Sequence, residues 1–398
     1  MNHATDDRKK NPVRRTLALA ALAGALVTGA VTAASAEPLP SAPGTYPTTN
    51  GSGGTPTPPD FITAVGADAD AELFDNIAKS YNAQAPATAA RILSFDAVNP
   101  QTGAVESSPI HIKPGCDIAR PNGANAGLTA IAKNQVSAAA TSNPNPGDGT
   151  TLCIDVVRSS RSKKTDGTEA GLTFYDLTRD AVTWAAIGGS YAPDAPLTTK
   201  QIRGIYECAI TNWAQVGGQY GAIHVYAPPT SAATYTFFLQ SIGSSVQNVT
   251  TGCGSTVRAT QQNDGTQIGG DPQGITPYAV TKWAAQLNAP TGISDLRGGT
   301  VLGEVPLSDG TSVAPVVQYN GGPYYVLNPQ FASGNGTATS TQGRVLYNTV
   351  RNTAADTLKN IFTTSGYVCA NEDTLLPPFG AVPLGTDTSQ TEYCGKPN

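Results

Sequence analysis

Three stretches of this chain share one local pattern: a β-type run, a tight turn of small residues, then a helix-type run. Gly66-Ala67-Asp68 follows the run Phe61–Val65 and precedes a face of Leu73, Phe74, Ile77, Ala78 and Tyr81 at 3.6-residue spacing. Gly123-Ala124-Asn125 opens a helix with Leu128, Ile131 and Ala132 on one side. The third turn, Thr230 to Thr234, follows the strand "AIHVYA" and leads to Phe237, Phe238 and Ile242. Pro228 and Pro229 stop that strand, and Thr230 or Ser231 is the expected N-cap. The same alternation continues elsewhere. "ARILSF", "LCIDVV", "LTFYDL" and "AVTWAA" read as strands, and "LTTKQIRGIYECAI" as a helix capped by Thr198 or Thr199. A helix is expected near "YAVTKWAAQL", a strand near "PYYVLN", and a long helix over "GRVLYNTVRNTAADTLKNIF". Alternating strands and helices place the chain in the α/β class.

In open α/β sheets, ligands sit beyond the strand C-termini, where helix starts converge. A helix start offers unpaired N–H groups and a partial positive charge, which suit an anion. Ala67, Asp68, Gly123, Ala124, Asn125, Ser231, Ala232 and Thr234 are therefore candidate ligand contacts. The bland alternative is that these small polar residues only cap their helices.

The flanking segments and the composition narrow the function. Residues 1–36 fit an export signal: Arg8, Lys9, Lys10, Arg14 and Arg15, an apolar run from Leu17 to Val31, then Ala34-Ser35-Ala36. The run is too weak for a membrane anchor, and no Cys stands near the cleavage point for a lipid anchor. A secreted, extracellular protein is expected, with a Pro/Gly/Ser/Thr tether at 37–59. Cleavage moves the formal charge from −5 to −8, which argues against a nucleic-acid partner. Cys116, Cys153, Cys208, Cys253, Cys369 and Cys394 all lie in the exported part, so three disulfides are expected. With His111 and His224 the remaining histidines and no C-x-x-C pair, neither a metal site nor a cofactor is indicated. The length left after the tether suggests two lobes.

The segment "AITNWAQVGG" within Leu197–Gly218 resembles the extracytoplasmic phosphate-binding proteins of ABC transporters and their secreted actinobacterial relatives. "NDGTQIGGDPQGITPYAVTKWAAQ", "GPYYVLN" and "LKNIFTTSGYVCANEDTLLPPFGAVPL" follow in the family's order. The resemblance covers roughly Asp60 to Leu384. It implies a two-lobed periplasmic-binding-protein-like (type II) fold with a ligand cleft. Lobe one would hold residues 60–172 and 318–398, and lobe two residues 173–317. The cysteines then sort by lobe, implying pairs 116–153, 208–253 and 369–394. The family's Arg and Gly-Ser-Gly-Thr turn falls on Pro228 and on Ser231-Ala232-Ala233-Thr234, so only Thr234 matches in kind. Its Gly-Ser-Ser turn falls on Gly123-Ala124-Asn125, and its acidic residue on Ser160, beside Ser159. Arg120 and Arg158 lie near two junctions and are candidates to restore the missing positive charge, while Asp68 or Asp70 would repel a dianion if either faces the cleft.

The expected function is binding of a small anion, phosphate or another oxyanion, or a small polar ligand by lobe closure, with an ABC permease as the implied partner. The alternative is a secreted interaction or structural module that kept the fold without the ligand. An enzyme is not expected: there is no Gly-x-Ser-x-Gly elbow or H-E-x-x-H, and Ser159, Ser160 and Asp155 have no His nearby in sequence.

Overall fold

The computed structural model describes residues 61–86, 89–99, 109–138, 148–290 and 293–398. The expected signal and tether lie outside them. Strand β1 (Phe61–Gly66) runs into helix α1 (Ala71–Gln84), then β2 (Arg91–Ser94). A hairpin of β3 (Pro109–Lys113) and β4 (Cys116–Ala119) precedes α2 (Ala124–Ala132) and β5 (Val156–Ser159). The long β6 (Leu172–Ile187) leads to α3 (Thr199–Tyr206), β7 (His224–Ala227), α4 (Ala233–Ser241), α5 (Val246–Cys253) and the short β8 (Arg258–Ala259). Next come β9 (Gly274–Ala279), α6 (Val280–Asn288), β10 (Thr300–Leu302), β11 (Val316–Gln318), β12 (Tyr325–Leu327) and α7 (Pro329–Ser333). Strand β13 (Gly343–Arg351) and α8 (Asp356–Phe362) follow.

One mixed sheet orders its strands β2-β1-β5-β13-β6-β9-β7-β8, with β10 also on β6. β6 joins its two halves. Residues Leu172 to Ala181 pair antiparallel with β13, and Val182 to Ala185 pair with β9. Two apolar cores cover the first half, around Phe74, Ile77 and Phe362 on one side and Leu128, Ile131 and Phe174 on the other. A third core, around Trp213, Phe238 and Ile275, covers the second half and takes Leu327, Phe331 and Ala332 from late in the chain. Cys116–Cys153, Cys208–Cys253 and Cys369–Cys394 are bridged, the pairing that the resemblance implied.

Four local expectations change. "LTFYDL" and "AVTWAA" form one strand rather than two, because the intervening Asp180, fully buried, finds partners and the strand runs through. The expected long helix is strand β13 up to Arg351, with helix only from Asp356. Val345, Tyr347, Thr349 and Val350 are β-branched or aromatic, and the strand is buried on both faces between β5 and β6. β5 begins at Val156 rather than Leu152, since Cys153 is held by its bridge and the Asp155 carboxylate accepts from the Thr63 N–H at 2.8 Å. The N-cap of α4 is Ala232, which has no side-chain oxygen to offer, so neither Thr230 nor Ser231 caps that helix. Thr198 does cap α3, in a reciprocal box with Gln201.

Candidate functional site

The three turns converge. Ala67, Ala124 and Ala233, one from each helix start, pack against each other and are 1%, 0% and 1% exposed. Glycine makes this approach possible. Gly123 has φ +96°, and a Cβ there would lie 2.8 Å from the Ser231 carbonyl oxygen and 3.2 Å from the Ala232 Cα. Gly123→Ala should therefore wedge the α2 and α4 starts apart and lower stability by about 1–3 kcal/mol in chemical denaturation.

The other predicted contacts scatter. Asn125 accepts from Arg161 Nε at 2.6 Å, and Arg161 in turn pairs with Glu169. Ser159 Oγ donates to the Arg161 carbonyl at 2.8 Å, while Ser159 and Ser160 are buried. Both arginines foreseen as replacement cations donate to backbone carbonyls, and Arg158 reaches the first turn that way. Arg158 donates to the Ala67 carbonyl, Ser94 Oγ and the Phe95 carbonyl, and Arg120 to the carbonyls of Asp96 and Val98.

A different arginine stands at Thr234. Arg344, from β13, donates through Nη2 to Thr234 Oγ1 at 3.0 Å and to Asp180 Oδ2 at 2.7 Å, and through Nε to Asp180 at 3.0 Å. Its side chain is 3% exposed, and its Nη1 has no partner. Asp180 also receives the Thr281 N–H and hydroxyl at 3.1 and 2.8 Å, at the start of α6. Asp70 lies within the field of Arg158 and Arg344. Beyond its own backbone N–H, neither carboxyl oxygen has a partner. Burial lifts its pKa to about 7, although the two arginines and that N–H pull it down. A carboxyl raised this way stabilises the fold fully below its unfolded pKa near 4 and loses that contribution as pH climbs through 7. Asp70→Asn should accordingly gain on the order of 2 kcal/mol over the unsubstituted protein at pH 8 and nothing at pH 4, read from urea denaturation at the two pH values.

A second buried network ties the α1 start to α6. Lys282 Nζ donates to Glu72 and to the Asp68 carbonyl at 3.2 Å, and lies 3.7 Å from Asp68 Oδ1. Asn263 Nδ2 donates to Asp68 Oδ2 at 2.8 Å, while its Oδ1 accepts the Ala279 N–H at 2.9 Å. Burial works against the Lys282 charge, but Asp68 and Glu72 outweigh it and hold its pKa above the ordinary lysine value. Burial raises the Glu72 pKa even with Lys282 beside it. Asp68 is thus a partner of Lys282 and Asn263 rather than an isolated charge toward a ligand. Arg344, Asp180, Lys282 and Asn263 escaped the sequence reading. Lys282 had one signal: "GITPYAVTKW" is itself a strand running straight into a helix.

The model of the PBP superfamily domain matches residues 53–381. This chain belongs to the PBP superfamily. The superfamily fold is also seen in a solved protein of Clostridium perfringens, described as a phosphate ABC transporter substrate-binding protein with bound phosphate. It is 13% identical, covers 81% of this chain and 98% of its own, and has a TM-score of 0.51. An ABC-type phosphate transport receptor from Vibrio cholerae is 18% identical over 81% of this chain and 99% of its own, with a TM-score of 0.48. No curated protein matches the chain in sequence. Among the described residues, no helix is long and apolar enough to cross a membrane.

Proposed function

We propose that this superfamily member is an exported solute-binding protein that closes two lobes, residues 173–317 forming the second, over a small oxyanion such as phosphate. The observation that carries this reading is a buried Arg344 with Nη1 unpaired, at the start of the nine-residue helix α4 and beside Thr234. The guanidinium that the turn lacks at Pro228 comes instead from β13. Asp70, with both oxygens open, takes the part of the acid absent at Ser160 and accepts a proton-bearing oxygen of the ligand. The bound phosphate of the Clostridium perfringens relative supports the ligand class. Three disulfides support an oxidising, extracytoplasmic location, and the Clostridium perfringens relative's description as an ABC transporter substrate-binding protein supports a permease partner.

A second reading, a secreted interaction module on the same fold with no ligand, is favoured by the contact of three alanine methyls where hydroxyl donors would be expected. Calorimetric titration separates the two. Residues 37–398, disulfides intact, are stripped of ligand by unfolding and refolding and titrated with phosphate. The anion reading predicts saturable heat with a Kd in the micromolar range or tighter, worth about 8 kcal/mol. No heat from phosphate or other oxyanions would leave the module reading standing.

A further inference from the structure

A separate cavity of about 490 Å³ opens at the other end of β1, within the size range of small-molecule sites. Phe61 and Ile62 line it, whereas the α1 start follows Gly66, so about 13 Å of strand, from Ile62 to Gly66, separates it from the helix starts. Its walls are largely apolar, with Leu152 and Leu358 joining Phe61 and Ile62. Its charged lining among the described residues is Lys113, Asp155 and Arg351.

Among the described residues, Asp155 is the one carboxylate of the lining, and it is engaged by Lys113. Lys113 Nζ lies 2.5 Å from Asp155 Oδ2, which also accepts the Thr63 N–H and hydroxyl. Arg351, 7% exposed, donates from Nε to Asn134 Oδ1 at 2.6 Å, from Nη1 to the Ile154 carbonyl at 2.5 Å and from Nη2 to the Ile131 carbonyl at 2.9 Å. All three acceptors are neutral, and no carboxylate among the described residues comes within ion-pair distance of Arg351. A buried cation without a counter-ion is unfavourable. Arg351, the lining cation with no carboxylate partner among the described residues, leaves room for a single negative charge in this ligand-sized space.

We propose that this cavity binds a small organic monocarboxylate. Its head lies toward Arg351 and Lys113, and its apolar body against Phe61, Ile62, Leu152 and Leu358. The inference does not depend on the anion reading of the cleft. The balance of one charge favours a monoanion over a phosphate dianion, and the apolar walls favour a hydrocarbon body over an inorganic ion.

The test titrates benzoate into the full mature protein, followed by ligand NMR line broadening, with benzyl alcohol as the neutral probe. Thr357, exposed at the mouth, is replaced by Trp to fill the opening without disturbing the buried charges. Benzoate should bind with a Kd of about 1 mM or tighter, and Thr357→Trp should weaken it at least about tenfold. Excess phosphate should not displace it, and benzyl alcohol should bind at least about tenfold more weakly. Absent benzoate binding, binding unchanged in Thr357→Trp, displacement by phosphate, or equal binding of benzyl alcohol would each overturn the proposal.

Discussion

Lys282→Met is expected to destabilise the protein by about 3–5 kcal/mol, the cost of leaving the buried Asp68 and the half-buried Glu72 without their cation. Lys282 is 3% exposed and bridges Asp68 and Glu72 across 214 and 210 residues of sequence. Met matches the length of the lysine stem but supplies no donor, so the Asp68 carbonyl and the Glu72 carboxylate both lose a partner. The loss should shrink at acid pH. Glu72 titrates above the ordinary glutamate value because of its burial, and once protonated it no longer requires the lysine. Urea denaturation at pH 7 and pH 5 measures both effects. A loss below about 1 kcal/mol at pH 7 would mean that the network is looser than its geometry indicates.

Arg344→Met is expected to remove anion binding, by a factor on the order of 10²–10³, and to cost stability as well. One or two charge-assisted hydrogen bonds to the ligand, each worth about 1.5–3 kcal/mol, account for the binding loss. The stability loss has another origin. Asp180 is fully buried and would keep the Thr281 donors but lose its ion pair. Arg344→Lys separates the two roles. It keeps a charge beside Asp180 and so recovers part of the stability, but its single ammonium cannot reach Asp180, Thr234 and a ligand in the fork geometry of the guanidinium. Binding should stay weak in Arg344→Lys while its unfolding midpoint lies between those of the methionine variant and the parent. Phosphate affinity unchanged in Arg344→Met would detach Arg344 from the ligand altogether.

The sequence made the skeleton of this site legible because the skeleton is local. Gly66-Ala67-Asp68, Gly123-Ala124-Asn125 and the Thr230–Thr234 turn announce themselves as helix starts through their neighbours, and one alanine from each does meet the others. The disulfide pairing followed from the resemblance and not from local pattern. What stayed hidden is what depends on distant partners. Arg344 meets Asp180 across 164 residues, and its own segment reads as helix until the flanking β5 and β6 are known. Asp180 sits in "LTRDAV", where a charged residue reads as a break between strands. Only the buried Arg344 and Thr281 turn it into strand interior. Thr230 and Ser231 have the chemistry of caps, but the turn begins the helix at Ala233 because Ala232 must lie against Gly123. Packing between turns overrode capping preference there.

The most direct test of the anion site is a crystal structure of the refolded, ligand-stripped protein grown with saturating phosphate. Tetrahedral density is expected within hydrogen-bond distance of Arg344 Nη1, with Thr234 and the Asp70 carboxyl as further contacts. Ala67, Ala124 and Ala233 in unbroken contact, with no anion at Arg344, would contradict it.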